Sequence, residues 1–217
     1  STPGREDGSF DSILNLDLPA AVDAIRRYTG ASKVLWIGHA MGGQLLYSWL
    51  SQGGSMDIAA GVAIDAPVGF PSSQHSRSTS ILRHLLPKRG NVPFERFAPL
   101  KAFREPSLSC SQLSAVETRT IMMHAVTKLP NALLRQLLLW LDGGTLSSKD
   151  GRIDYGMACR ERNLPLRLMY SPRSPLGAPE MTLPITENLG NVELVEGEWE
   201  TIPFLSQESS NGMGDLL

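Results

Sequence analysis

The stretch Lys33-Val34-Leu35-Trp36-Ile37-Gly38-His39-Ala40-Met41-Gly42-Gly43-Gln44-Leu45-Leu46-Tyr47 decides how the chain is to be read. Lys33 to Ile37 is a short apolar run, which predicts a strand buried in a parallel sheet and ending at Gly38. From Met41 to about Gln52, Leu45, Leu46, Trp49 and Leu50 recur at helical spacing, and Gly53-Gly54 stops the helix. Between them lies Gly38-His39-Ala40-Met41-Gly42-Gly43. A strand that turns into a helix over so few residues must bend tightly. Side chains at Gly38 and Gly42 would then strike the neighbouring strand and helix, and Ala40 would sit in a strained backbone conformation at the apex.

Outward from this stretch the pattern continues. Residues 1–16 are polar and bear Gly and Pro, which predicts a loop or frayed entry. Asp17-Leu18-Pro19 opens a helix, Leu18, Ala21, Val22 and Ile25 follow helical spacing, and Gly30 ends it. Ile58 to Ile64 is a second buried strand, closed by Asp65-Ala66-Pro67. Helix, strand, helix, strand is the alternation of an α/β sheet with parallel strands.

Downstream, Pro71 to about Lys101 is rich in Ser, Arg and Pro, with a short helical hint at Ile81 to Leu86. Residues 111–128 and 131–142 read as helices, the second with a broad apolar stripe of Leu133, Leu134, Leu137, Leu138 and Leu141 packed onto the core. Leu164 to Tyr170 and Asn191 to Val195 read as further strands, and residues 197–217 as mostly loop. The expected organisation is an α/β core segment over 1–71, a helical cap-like insertion over 72–162, and a second core segment over 163–217.

The chain has 217 residues, 41% hydrophobic and 19% charged, with a formal net charge of −2, the composition of a globular protein. That charge leaves no electrostatic footprint for nucleic acid. The most apolar stretch, Leu133 to Leu141, is too short to span a bilayer. The two cysteines, Cys110 and Cys159, could pair, but two free thiols is the favoured reading. No metal site and no cofactor are expected. The chain begins at Ser1 without a leader pattern, so a processed, trimmed or partial polypeptide is expected; it reads as a water-soluble protein of the cytoplasm or an organelle, with no residue deciding which.

Lys33 to Tyr47 resembles the G-H-S-M-G-G strand–elbow–helix of the α/β-hydrolase superfamily, the nucleophile elbow whose pattern is G-x-S-x-G. The Asp17-Leu18-Pro19-Ala20-Ala21 helix and the Tyr28-Thr29-Gly30 stop resemble a bacterial and plant branch of it. Leu164 to Thr182 is similar to that family's strand, G-x-x-D-type loop and Pro-rich turn, and Gly212-Met213-Gly214-Asp215-Leu216-Leu217 is similar to its G-H-x-D-L-L. The resemblance implies a partial α/β-hydrolase fold, a parallel sheet flanked by helices with a mainly helical cap insertion. The family's early strands would be missing here.

The resemblance also implies a site, and its chemistry is gone. The family's Ser attacks a carbonyl, its His takes the proton and its acid orients the His. The three positions fall on Ala40, on or near Ser174, and on Met213. No carboxylate except Glu161 lies between Asp154 and Glu180, and no histidine follows His124. His39, beside the elbow, is expected to pack there. His75, His84 and His124 lie in the insertion. Asp65 could serve as the acid of a shifted arrangement, and Ser48 and Cys110 are nucleophiles in name only. What can survive is binding: with His39 and Gly42 alongside, the backbone N–H of Met41 opens a helix and can hold an oxyanion, carbonyl or carboxylate.

The leading expectation is therefore a catalytically inactive homologue acting as a binding or structural subunit. Its expected partners are an acyl or carboxylate ligand near Ala40 and a protein covering the exposed sheet edge. The alternatives are an esterase or lipase acting on acyl esters, with Ala40 engineered or the triad rewired, and a fragment with no separate function.

Overall fold

The computed structural model describes residues 8–70, 81, 83–87, 90–92, 129–160, 163–174, 177–202 and 205–207. The expected helix over 111–128, together with His75, His124, Cys110 and Met213, lies outside these residues.

The strands are, in chain order, β1 (Val34–His39), β2 (Ile58–Ile64), β3 (Asn91–Val92), β4 (Leu129–Pro130), β5 (Leu166–Tyr170), β6 (Val192–Glu196), β7 (Glu200–Ile202) and β8 (Leu205–Gln207). β1, β2, β5 and β6 form one four-stranded sheet in the order β1-β2-β5-β6. Every pairing in it is parallel. The expected strands are all present, with ends that move by one or two residues. β3 pairs with β4, and β7 with β8, as small antiparallel ribbons. The second ribbon lies within residues 197–217, which read as mostly loop.

The helices are α1 (Phe10–Ser12), α2 (Leu18–Thr29), α3 (Met41–Ser51), α4 (Asn131–Gly143), α5 (Tyr155–Ala158) and α6 (Pro179–Thr182). Glycine ends α2 and α4 in the left-handed conformation, at Gly30 (φ 71°) and Gly144 (φ 77°), where an L side chain would be strained. α3 is packed between sheet and helices: Leu46, Tyr47 and Leu50 share one buried cluster with Ile58 and Ala63 of β2 and with Leu166 and Leu168 of β5. Leu133 and Trp140 of α4, Leu146 and Tyr155 belong to that same cluster. Of the expected stripe on α4, Leu133 and Leu137 pack into this core, while Leu134, Leu138 and Leu141 form a separate small cluster with Leu86 and Leu129.

The entry to the chain is a correction. Residues 10–17 are not a loop: α1 runs into a π-turn over Ile13–Asp17 and on into α2. Ser9 caps the start, its Oγ accepting from the Ser12 backbone N–H at 3.2 Å. Asp17 makes no side-chain cap because the backbone is already helical there. Phe10 and Leu14, four residues apart, are fully buried. The Phe10 ring meets Trp140 edge-on at 4.8 Å. Asp11 then fastens this turn to distant elements, accepting from Gln136 Nε2 of α4 at 2.6 Å, the Lys149 N–H at 2.8 Å and the Tyr155 hydroxyl of α5 at 3.1 Å. The anchor was illegible because polar residues surround the two apolar ones.

β1 is a second correction. Its apolar run reads as a buried strand, yet within the described sheet it is the one that stands at the expected open edge, pairing only with β2. Leu35 is 76% and Ile37 77% exposed. Between this edge and α2 runs an apolar groove of about 470 Å³, lined by Leu18, Val22 and Ile25 on the helix and Leu35 and Ile37 on the strand.

Phe10→Ala should lower unfolding free energy by about 3–5 kcal/mol, the range for truncating a buried aromatic. Tyr28→Ala, at a position 93% exposed, should stay within about 0.5 kcal/mol of the unchanged protein. Urea unfolding of both variants provides the measurement.

Candidate functional site

β1 and β2 run side by side with His39 opposite Ile64. One residue further on, at the carboxyl end of each strand, stand Ala40 and Asp65. These are the only non-glycine residues with positive φ among those described, at 47° and 43°. Each such conformation costs on the order of 1–3 kcal/mol and persists only where its surroundings fix it.

At Ala40 the backbone is fixed on both sides. Its φ of 47° and ψ of −113° turn β1 directly into α3. Its N–H donates to the Ile64 carbonyl at 2.9 Å, and its own carbonyl accepts from the N–H groups of Gly43 and Gln44, each at 3.0 Å. The Trp36 indole donates to the Gly42 carbonyl at 3.0 Å. A Cβ on Gly38 would lie 2.3 Å from the Gly42 carbonyl carbon, so a side chain there is excluded. The second expected clash moves by one residue: a Cβ on Gly42 meets nothing described within 4 Å, while one on Gly43 would lie 2.5 Å from the Ala66 Cβ. At the apex the side chain is a methyl group, itself buried.

Asp65 is fully buried. Its carboxylate accepts from the Ser171 N–H at 3.1 Å and from Trp199 Nε1 at 2.7 Å. The Ser174 hydroxyl donates to it as well. Burial pushes the Asp65 carboxyl above its usual range; the bonds from Trp199, Ser174 and Ser171 and the nearby charge of His39 oppose that. The enclosing loop leaves no slack, since a Cβ on Gly177 would lie 2.2 Å from Asp65 Oδ1. The Ser171 hydroxyl donates to the Trp199 carbonyl at 2.5 Å, and the Gly197 N–H to the Tyr170 carbonyl at 2.9 Å. These two bonds tie the segment after β6 down onto the end of β5.

The other expected residues are placed as follows. Ser174, on the loop after β5, is buried and turned to Asp65. His39 is half-buried, and its Nε2 is enclosed without a hydrogen-bond partner. Burial pulls the imidazole below its usual range, with the Asp65 charge acting the other way. Met41 is the first residue of α3 and packs against the core, so its N–H faces the turn without a helical acceptor. Ser48 is fully buried and donates to the Gln44 carbonyl at 2.8 Å, which makes it part of the helix interior. Cys159 is fully buried in the main core. Among the described residues no group of three metal-ligating side chains occurs, and no helix is long and apolar enough to cross a membrane. Sequence reasoning missed Trp199; its only signal was a tryptophan in the segment after the last strand of the sheet.

No protein-family pattern and no curated protein matches the chain in sequence. Solved structures do match it in shape. A hydrolase from Oleispira antarctica is similar with a TM-score of 0.58 at 16% identity, over 90% of this chain and 66% of that one. A lipase-esterase related protein from Clostridium acetobutylicum gives 0.56 at 12% identity, over 90% and 69%. A serine-to-alanine mutant of a meta-cleavage product hydrolase from Pseudomonas fluorescens gives 0.55 at 12% identity, over 91% and 66%. The chain thus spans about two thirds of the length of the structures it matches. The fold is that of the α/β-hydrolases, in part.

The Asp65 carboxyl sets a pH dependence. Its folded-state pKa is raised, so the folded protein holds a proton that the unfolded chain releases. Stability contributed by Asp65 is then full below its usual value of 3.8 and falls as pH rises from there through the raised folded value. In Asp65→Asn this decline should be absent, as read from urea midpoints of both proteins between about pH 4 and 7.

Proposed function

We propose that this chain is a catalytically inactive relative of the α/β-hydrolases that serves as a binding or structural subunit. The supporting observation is a methyl group, that of Ala40, at the apex of a turn whose backbone is bent as a nucleophile elbow requires. A hydroxyl or thiol there would begin acyl transfer; a methyl group forms no acyl-enzyme. The turn is retained at an energetic cost, and its retention without a nucleophile fits a role in holding rather than cleaving. Loss of a triad nucleophile costs on the order of 10⁶ in kcat.

The ligand we assign to this reading is an acyl or carboxylate group beside Ala40, with the Met41 N–H at the start of α3 as its donor. The protein partner is one that covers the β1 edge, where Leu35 and Ile37 stand exposed. An apolar, unprotected edge strand offers unpaired backbone groups to a further strand.

The test is turnover of short-chain aryl esters. The natural chain should show no release above the uncatalysed rate at any protein concentration. Robust turnover, or a burst of acylated protein, would establish instead the esterase or lipase acting on acyl esters.

A further inference from the structure

Ala40, Asp65 and Trp199 each follow the carboxyl end of a strand of the one sheet: β1, β2 and β6, respectively. In α/β-hydrolases the triad members follow in the chain order nucleophile, acid, histidine, and here the three residues stand in that order. Ala40 and Asp65 are adjacent, each one residue past the paired positions His39 and Ile64. Trp199 comes from the segment after the last strand of the sheet and puts its one polar atom, Nε1, 2.7 Å from Asp65 Oδ2. We infer that Asp65 and Trp199 occupy the acid and base stations of a triad, with an indole N–H standing on the carboxylate where a working site has its imidazole.

This rests on the proposed reading of Ala40 as the vacated nucleophile position, and it changes where the other two members are found. Ser174, where the sequence places the acid, is a donor to Asp65 rather than its replacement. The carboxylate is delivered to that point from the neighbouring strand. The need to satisfy a buried carboxylate explains why donors surround it. It does not explain why one of them comes from the segment after β6, held there by the Ser171–Trp199 and Gly197–Tyr170 bonds. Indole differs from imidazole in one chemical respect that matters: it donates a hydrogen bond and accepts none. Trp199 can therefore keep the acid's partnership while being unable to receive a proton. In a triad the imidazole holds the acid through Nδ1 and faces the nucleophile with Nε2; the indole has a single nitrogen, and here it is spent on the acid.

The inference predicts that two substitutions rebuild a reactive serine. In Ala40→Ser/Trp199→His, a fluorophosphonate should react with the introduced serine. Its Oγ forms a bond to phosphorus, fluoride leaves with the P–F bonding pair, and the hydroxyl proton passes to the introduced imidazole. Labelling should be about 100-fold or more faster than in Ala40→Ser alone, the scale of general-base assistance, and adding Asp65→Asn should abolish the gain. Equal labelling of the single and double variants would overturn the inference. A second measurement does not depend on reactivity. In the Trp199→His protein, the imidazole should titrate above its usual value of about 6.5 and return toward it when Asp65→Asn is added. Unchanged titration would overturn the inference. If that variant does not fold, the natural chain carries the test: the Trp199 indole N–H resonance, identified by its loss in Trp199→Phe, should be protected from exchange and lose protection in Asp65→Asn. An unprotected N–H would overturn the pairing. None of these failures touches the inactivity of the natural chain, which ester turnover decides separately.

Discussion

The structure around the site depends on one backbone constraint: a strand must become a helix within a single residue. That reversal puts Ala40 at positive φ and brings Gly38 against the carbonyl of Gly42, so that no Cβ fits between them. The energy that holds it comes from its neighbours. The Ala40 amide is taken by β2, its carbonyl by the first turn of α3, and the helix beyond is buried through Leu46, Tyr47 and Leu50. Strain at the apex is therefore offset by packing on both flanks.

The same sheet end gathers a cluster of polar groups. Parallel pairing of β1 with β2 sets Asp65 beside the bend, and pairing of β2 with β5 carries the loop with Ser171 and Ser174 over it. Trp199 closes the arrangement from the segment after β6. A buried carboxylate with three donors is satisfied, which is why it can stay in an otherwise apolar region. The result is an enclosed acid beside a bend whose side chain is the methyl group of Ala40. His39 lies near enough to feel its charge, but the His39 Nε2 has no partner.

The far side of β1 has the opposite character. Leu35 and Ile37 face outward, and the groove between them and α2 is apolar. Strand composition and strand environment disagree there: the residues are those of an interior strand, and the position is an edge. An interior strand of the same fold would have a neighbour on each side. The chain matches about two thirds of the length of similar solved structures, in keeping with a sheet that ends early.

Much of this was legible in the residues. Apolar runs bounded by glycine marked β1, β2 and α3, because strand burial and helix spacing leave periodic traces. The glycines around Ala40 marked the bend, because only a missing Cβ allows that approach. The methyl at Ala40 was likewise plain. Three features needed the tertiary structure. Phe10 and Leu14 look like part of a polar lead-in until Trp140 and Tyr155 are brought across from positions far along the chain. An open sheet edge was expected, but that β1 is the strand left open depends on which strands stand beside it, and its own composition argues the reverse. The bond between Asp65 and Trp199 joins residues 134 positions apart. Local sequence fixes backbone preference and burial pattern; which donor reaches which buried acceptor is decided only when the sheet has formed, since hydrogen bonds answer to distance and angle rather than to order along the chain.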